Sequence, residues 1–157
     1  MLMKPSKLNE AEFQHWLFRY DPDTGAVTRN GAACGTLTQQ GYLRIRANMI
    51  RVPAHRLAWR LMTGEWPDHE IDHRNRNRLD NRWANLRQAT HAENNCNRSR
   101  CRNTTGEKNV YFNRQTGRWQ VKVKAGDLII HQMASHRLSA TLAARIIRRT
   151  LHGEFAS

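Results

Sequence analysis

No stretch of this 157-residue chain is apolar for long enough to cross a bilayer, and Met1 to Pro5 does not begin like a signal peptide. A membrane role is therefore not expected. Cysteine is scarce: Cys34, Cys96 and Cys101 leave one thiol over in any pairing scheme, which points to a reduced, intracellular (cytoplasmic) protein. No Cys-x-x-Cys pair is present, so a zinc knuckle is not expected, and Cys96, Cys101 and His91 read as structural or incidental. Negative charge is also short, with 13 Asp and Glu against 26 Lys and Arg, for a net charge of +13. Such an imbalance says little about fold but much about partners, and nucleic acid is the natural one. Lysine contributes only Lys4, Lys7, Lys108, Lys122 and Lys124, so arginine carries most of the charge. Its planar fork suits phosphates and guanine edges. No internal repeat and no obligatory protein partner are evident.

The length suits one ordinary domain or two very small ones, with little core in either. The pattern separates a region 1–98, a polar linker 99–108 and a region 109–157. In the first, Asn9 to Arg19 reads as a short helix with Phe13, Trp16 and Leu17 on one face. Asp21-Pro-Asp-Thr-Gly25 is a turn, and Gly41 to Ala47 alternates like a half-buried strand. Ala54 to Met62 reads as a helix stopped by Gly64 and Pro67. Between Ile71 and Asn97 the chain is rich in Arg and Asn and poor in apolar residues, which core-building does not explain.

That stretch holds the candidate chemistry. Asp72 offers a hard oxygen to a divalent cation, and His73 beside it offers a nitrogen that titrates near neutrality. Neighbours on a strand face opposite ways, so both serve one site only where the strand ends or bends. Leu86 to Ala89 can form a second strand. Thr90-His-Ala-Glu93 fits a capping box that starts a helix near His91 and places Asn94 in its first turn. Strand, loop, strand and helix in that order let Asp72 and Asn94 converge on one metal ion. Hard oxygens favour Mg²⁺ or Mn²⁺ over zinc.

Ala54-His-Arg-Leu-Ala-Trp59, Ile71-Asp-His73, Asp80-Asn-Arg-Trp-Ala-Asn-Leu-Arg87 and Glu93-Asn-Asn95 together resemble the HNH homing endonucleases of phages. These belong to the ββα-metal, or His-Me finger, superfamily. The resemblance covers roughly residues 40 to 98. It implies that Asp72 and Asn94 bind one divalent ion, that His73 activates the attacking water, and that Asn85 pins the loop; Asn81 is the alternative for that last role. It implies double-stranded DNA as substrate, cut or nicked, and a phage-infected bacterial cell as the setting. Arg74, Arg76, Arg78 and Arg87 are the nearby candidates for DNA contact. His55 reads as packing or phosphate-binding. A non-catalytic DNA-binding protein on a degenerate nuclease scaffold is the alternative. RNA cleavage would call for exposed stacking aromatics, and no such set stands out.

Residues 109 to 133 suggest three short strands. In the second, Trp119, Val121 and Val123 share one face, while Arg118, Gln120, Lys122 and Lys124 share the other. Ser139 to His152 reads as a helix covering the apolar side. Asn109-Val-Tyr-Phe, Gly117-Arg-Trp and His152-Gly-Glu-Phe-Ala156 resemble the plant ethylene-response (APETALA-two) DNA-binding domain. The resemblance implies a sheet that enters the major groove, with Arg114, Arg118, Gln120, Lys122 and Lys124 toward DNA. Asp127 to Met133 departs from that family's third strand, so no base preference carries over. The expected fold class is α+β: a ββα-metal nuclease core, then a three-stranded antiparallel sheet packed on a C-terminal helix.

Overall fold

The computed structural model describes residues 17–47, 50–98 and 103–156. The fold is α+β, built of small antiparallel sheets and ending in a helix. The described residues fall into two compact units that divide between His91 and Ala92.

In the first unit the strands are β1 (Phe18–Tyr20), β2 (Val27–Arg29), β3 (Ala32–Ala33), β4 (Thr36–Leu37), β5 (Leu43–Ala47) and β6 (Ile50–Pro53). They make two antiparallel sheets, β1-β2-β3 and β4-β5-β6. Helix α1 (Ala54–Thr63) follows directly from Pro53, whose φ of −60° suits a residue leading into a helix. Its buried stripe of Ala54, His55, Leu57 and Ala58 follows the helical period. Ala54 and Leu57 join Phe18, Val27, Ile45 and Val52 in the main core. Gly64 ends the helix at φ 84°, donating its N–H to the Arg60 carbonyl. The hairpin of β7 (Glu70–His73) and β8 (Leu86–Ala89) packs Ile71 and Leu86 against Ala58. Helix α2 (His91–Asn97), which the division between the units crosses, starts where the capping box puts it.

The expected helix over Asn9–Arg19 lies mostly outside the described residues. Its last two residues do not extend it, because Phe18 and Arg19 pair with Arg29 and Thr28 in the β1–β2 ladder. Nearby hairpin partners on β2 outcompete one more helical turn.

The second unit holds β9 (Val110–Asn113), β10 (Arg118–Ala125), β11 (Leu128–Ala134) and helix α3 (Arg137–His152). The sheet order is β11-β10-β9, all antiparallel. Val110, Val121 and Val123 meet Ala140 and Ala144 in its core. Two alanines at four-residue spacing let the helix approach the sheet closely. Residues 103–108, expected as part of a linker, cap β9: the Asn103 amide and the Thr105 hydroxyl both donate to the Val110 carbonyl. Among the described residues no helix is long and apolar enough to cross a membrane.

Candidate active site

The loop between β7 and β8 is held by asparagine side chains, which explains its composition. Asn85 Nδ2 donates to the Asp80 carbonyl at 2.7 Å, and Asn85 Oδ1 accepts the Asn75 N–H at 2.9 Å. Asn75 Oδ1 caps the Asn77 N–H, and Asn77 Oδ1 caps the Leu79 N–H. Short amides supply partners to backbone groups that no strand reaches. The loop turns at once after His73, because the Arg76 N–H bonds the His73 carbonyl with Arg76 at φ 65°.

The β1–β2 turn supports this loop. Tyr20 donates its hydroxyl to the Asn81 carbonyl at 2.7 Å, and the Trp83 N–H bonds the Pro22 carbonyl. Burial, then the charges of Asp21 and Asp80, push the Tyr20 hydroxyl up to about 12, so it stays a donor. Gly25 sits at φ 74°, and a Cβ there would stand 2.5 Å from the Arg82 nitrogen and the Asn81 carbonyl carbon. Only glycine permits that approach. Asp80 completes the frame: its bonds to Arg82 above all hold its carboxyl well below the usual carboxylate range.

His73, 4% exposed, ends β7 with Nε2 at 3.1 Å from Asn81 Oδ1. Asn81 Nδ2 donates to the Leu79 carbonyl, which orients the amide with its oxygen toward His73. With the amide so oriented, Nε2 is the ring nitrogen that donates to Asn81. His55 packs edge-on against the ring with centroids 5.1 Å apart, and Tyr42 stands at 6.1 Å. Burial draws His73 below the ordinary imidazole range, against the pull of Asn81, Asp72 and Asp80. His55 is buried too, with Nδ1 unpartnered; desolvation, then the charges of His73 and Arg56, take it down to about 3. Both rings are thus neutral near pH 7. His55 also packs against Tyr42, with ring centroids 5.3 Å apart.

Asp72 lies directly across the hairpin from Arg87. Arg87 Nε and Nη2 donate to Asp72 Oδ2 at 2.9 and 2.8 Å, with both side chains buried. This corrects the expected DNA contact by Arg87, since a guanidinium 5% exposed and paired inside the hairpin has no phosphate within reach. Arg74 and Arg76 are exposed on the loop. Arg78, also exposed, sits over the Tyr42 ring at 4.7 Å and donates to the Gln40 carbonyl. Arg82, not singled out from the sequence, lines an open concavity with Arg74, Asp23 and Asn85. Asn94 is half-buried on α2. In the second unit Arg114 occupies the β9–β10 turn, and Arg118, Lys122 and Lys124 are exposed with Gln120 half-buried.

The donor chemistry fits a hard divalent ion. Asp72 supplies a carboxylate, which Arg87 engages through Oδ2. A carboxylate is the hard donor that Mg²⁺ accepts where substrate phosphates and water complete its shell. Among the described residues no group of three or more His, Cys, Asp or Glu stands together, so a zinc-type cage is not formed by them.

No curated protein and no solved structure matches the chain. Residues 52–96, which contain Asp72, His73, Asn81, Asn85 and Asn94, match the family model described as HNH endonuclease, and that match supports nuclease activity on DNA.

Proposed function

We propose that the chain is a divalent-metal-dependent endonuclease that hydrolyses phosphodiester bonds of double-stranded DNA, by a cut or a nick. The observation that carries this reading is the buried His73 imidazole at the end of β7, held at Nε2 by Asn81 Oδ1 at 3.1 Å, which assigns the general-base role to Nδ1. That nitrogen takes the proton of a water as its oxygen attacks phosphorus. The new P–O bond replaces the scissile one, and the leaving oxygen takes up a proton. Asn85 and Asn81 hold the loop, and Asn81, His55 and Tyr42 limit the ring's rotation, so no reorganisation is needed at the moment of attack. A divalent ion, Mg²⁺ or Mn²⁺, held by Asp72 and Asn94 would stabilise charge on the phosphate and leaving oxygen. Arg74 and Arg76, with Arg82, take flanking phosphates in this reading. A homing-endonuclease-like role in a phage-infected cell rests on the sequence resemblance.

Incubation with supercoiled plasmid tests this. Nicked or linear product is expected with Mg²⁺ or Mn²⁺ and none in EDTA, with Asp72→Ala costing more than Asn94→Ala because Asp72 supplies the charge. Cleavage that survives EDTA would remove the metal from the mechanism. The Arg87 pairing favours one second reading, a DNA-binding protein on a degenerate nuclease scaffold, because the guanidinium already offsets the charge of Asp72. Plasmid that is retarded in a gel yet intact under every metal condition would establish that reading instead.

The second unit is the proposed APETALA-two-like DNA reader, with Arg114 at its rim. Lys122→Ala/Lys124→Ala is expected to bind more weakly at low salt. Each lost phosphate contact lowers the slope of log affinity against log salt by about 0.9. Turnover at saturating DNA should barely change. An unaltered slope would take this face off the DNA.

A further inference from the structure

The outer face of the β9–β10–β11 sheet carries apolar side chains that a solvated basic surface does not need. Val121 and Val123 point into the core under α3, so Gln120, Lys122 and Lys124 point the other way. Register extends this face across the sheet, because directly paired residues share a side. Tyr111, Gln120 and Met133 form one row, and Lys124 with Ile129 another. Tyr111 and Ile129 are 42% exposed and Met133 is 44% exposed. None of the three strands holds a carboxylate.

This mixture selects a partner. A phosphate backbone alone would reward the lysines and leave Ile129 and Met133 in water. An ordinary apolar protein surface would bury those two and leave the lysines uncompensated. The DNA major groove offers both chemistries, with phosphates along its rims and thymine methyl groups on its floor. Three strands about 4.8 Å apart span roughly 10 Å, which fits a groove about 12 Å wide. We infer that this face reads A·T pairs, with Ile129 and Met133 against thymine methyls and Gln120 bonded to the N6 and N7 edge of adenine. The inference rests on the DNA-binding reading of the second unit and adds the class of base. It draws on β11, the strand where the sequence departs from the family it resembles.

Binding of the full chain in EDTA to equal-length duplexes of alternating A·T, alternating A·U and alternating G·C tests it. Uracil lacks only the methyl. Two methyl contacts correspond to an affinity for A·T about tenfold above that for A·U. Ile129→Ser/Met133→Ser should bind A·T and A·U alike with unchanged circular dichroism, since both side chains are exposed. Gln120→Ala should reduce the preference for A·U over G·C. Equal binding of A·T and A·U by the parent overturns the inference and leaves the DNA-binding reading standing. A thymine advantage undiminished in the double variant also overturns it, because groove shape would then be its source. Binding to none of the duplexes removes both the inference and the reading beneath it.

Discussion

His73→Ala is expected to slow single-turnover cleavage by a factor on the order of 10²–10⁴, the usual loss when a positioned general base is removed. DNA affinity should hold, because a ring 4% exposed at the end of β7 contributes no phosphate contact. The substitution also opens a cavity and leaves Asn81 Oδ1 facing it, so some stability will go with the activity. His73→Gln separates the two effects. It retains most of the volume and can still donate to Asn81, so it should melt closer to the parent while cleaving as poorly as the alanine variant. The pair of measurements is a gel shift and a nicking assay on folded protein. Cleavage within about threefold of the parent in either variant would take His73 out of the mechanism.

How far the sequence leads depends on how local each feature is. The turn at Asp21–Gly25, the helix stop at Gly64 and the start of α2 after Thr90 are set by a few adjacent residues, and all three stand where expected. The β9–β10–β11 alternation was legible for the same reason: Val121 and Val123 mark the core face by period alone. Partnerships across the loop were not legible. Asn81 and Asn85 are both loop asparagines near the right spacing, and only the folded turn shows that one holds the backbone while the other holds His73. Arg87 was lost among many arginines, because charge composition cannot separate a solvated guanidinium from a buried one. Its signal lay in the hairpin register, which pairs it with Asp72 once His73 faces Leu86. The helix over Asn9–Arg19 shows the converse, a local period that a strand partner overrides at Phe18.

Arg87→Met should be among the most destabilising single changes in the first unit, by about 3–5 kcal/mol in EDTA, because it leaves a buried carboxylate without its counter-charge. Methionine fills most of the space of the arginine stem, so the loss reports charge more than cavity. Asp72 and Arg87 are 6% and 5% exposed, and Arg87 gives Oδ2 two hydrogen bonds, so water cannot readily replace it. The double variant Asp72→Asn/Arg87→Met removes the orphaned charge and should recover a large part of that stability. Urea unfolding of the three proteins measures this directly, and a single-variant loss below about 1 kcal/mol would mean that the pair is solvated after all. The same titration bears on function. If Asp72 takes a divalent ion, Mg²⁺ or Mn²⁺ can stand in for the missing guanidinium, and saturating ion should restabilise Arg87→Met more than the parent. An ion-dependent gain that is equal in both proteins would place the metal elsewhere than Asp72. A larger gain in Arg87→Met would show that the guanidinium and the cation act on the same carboxylate.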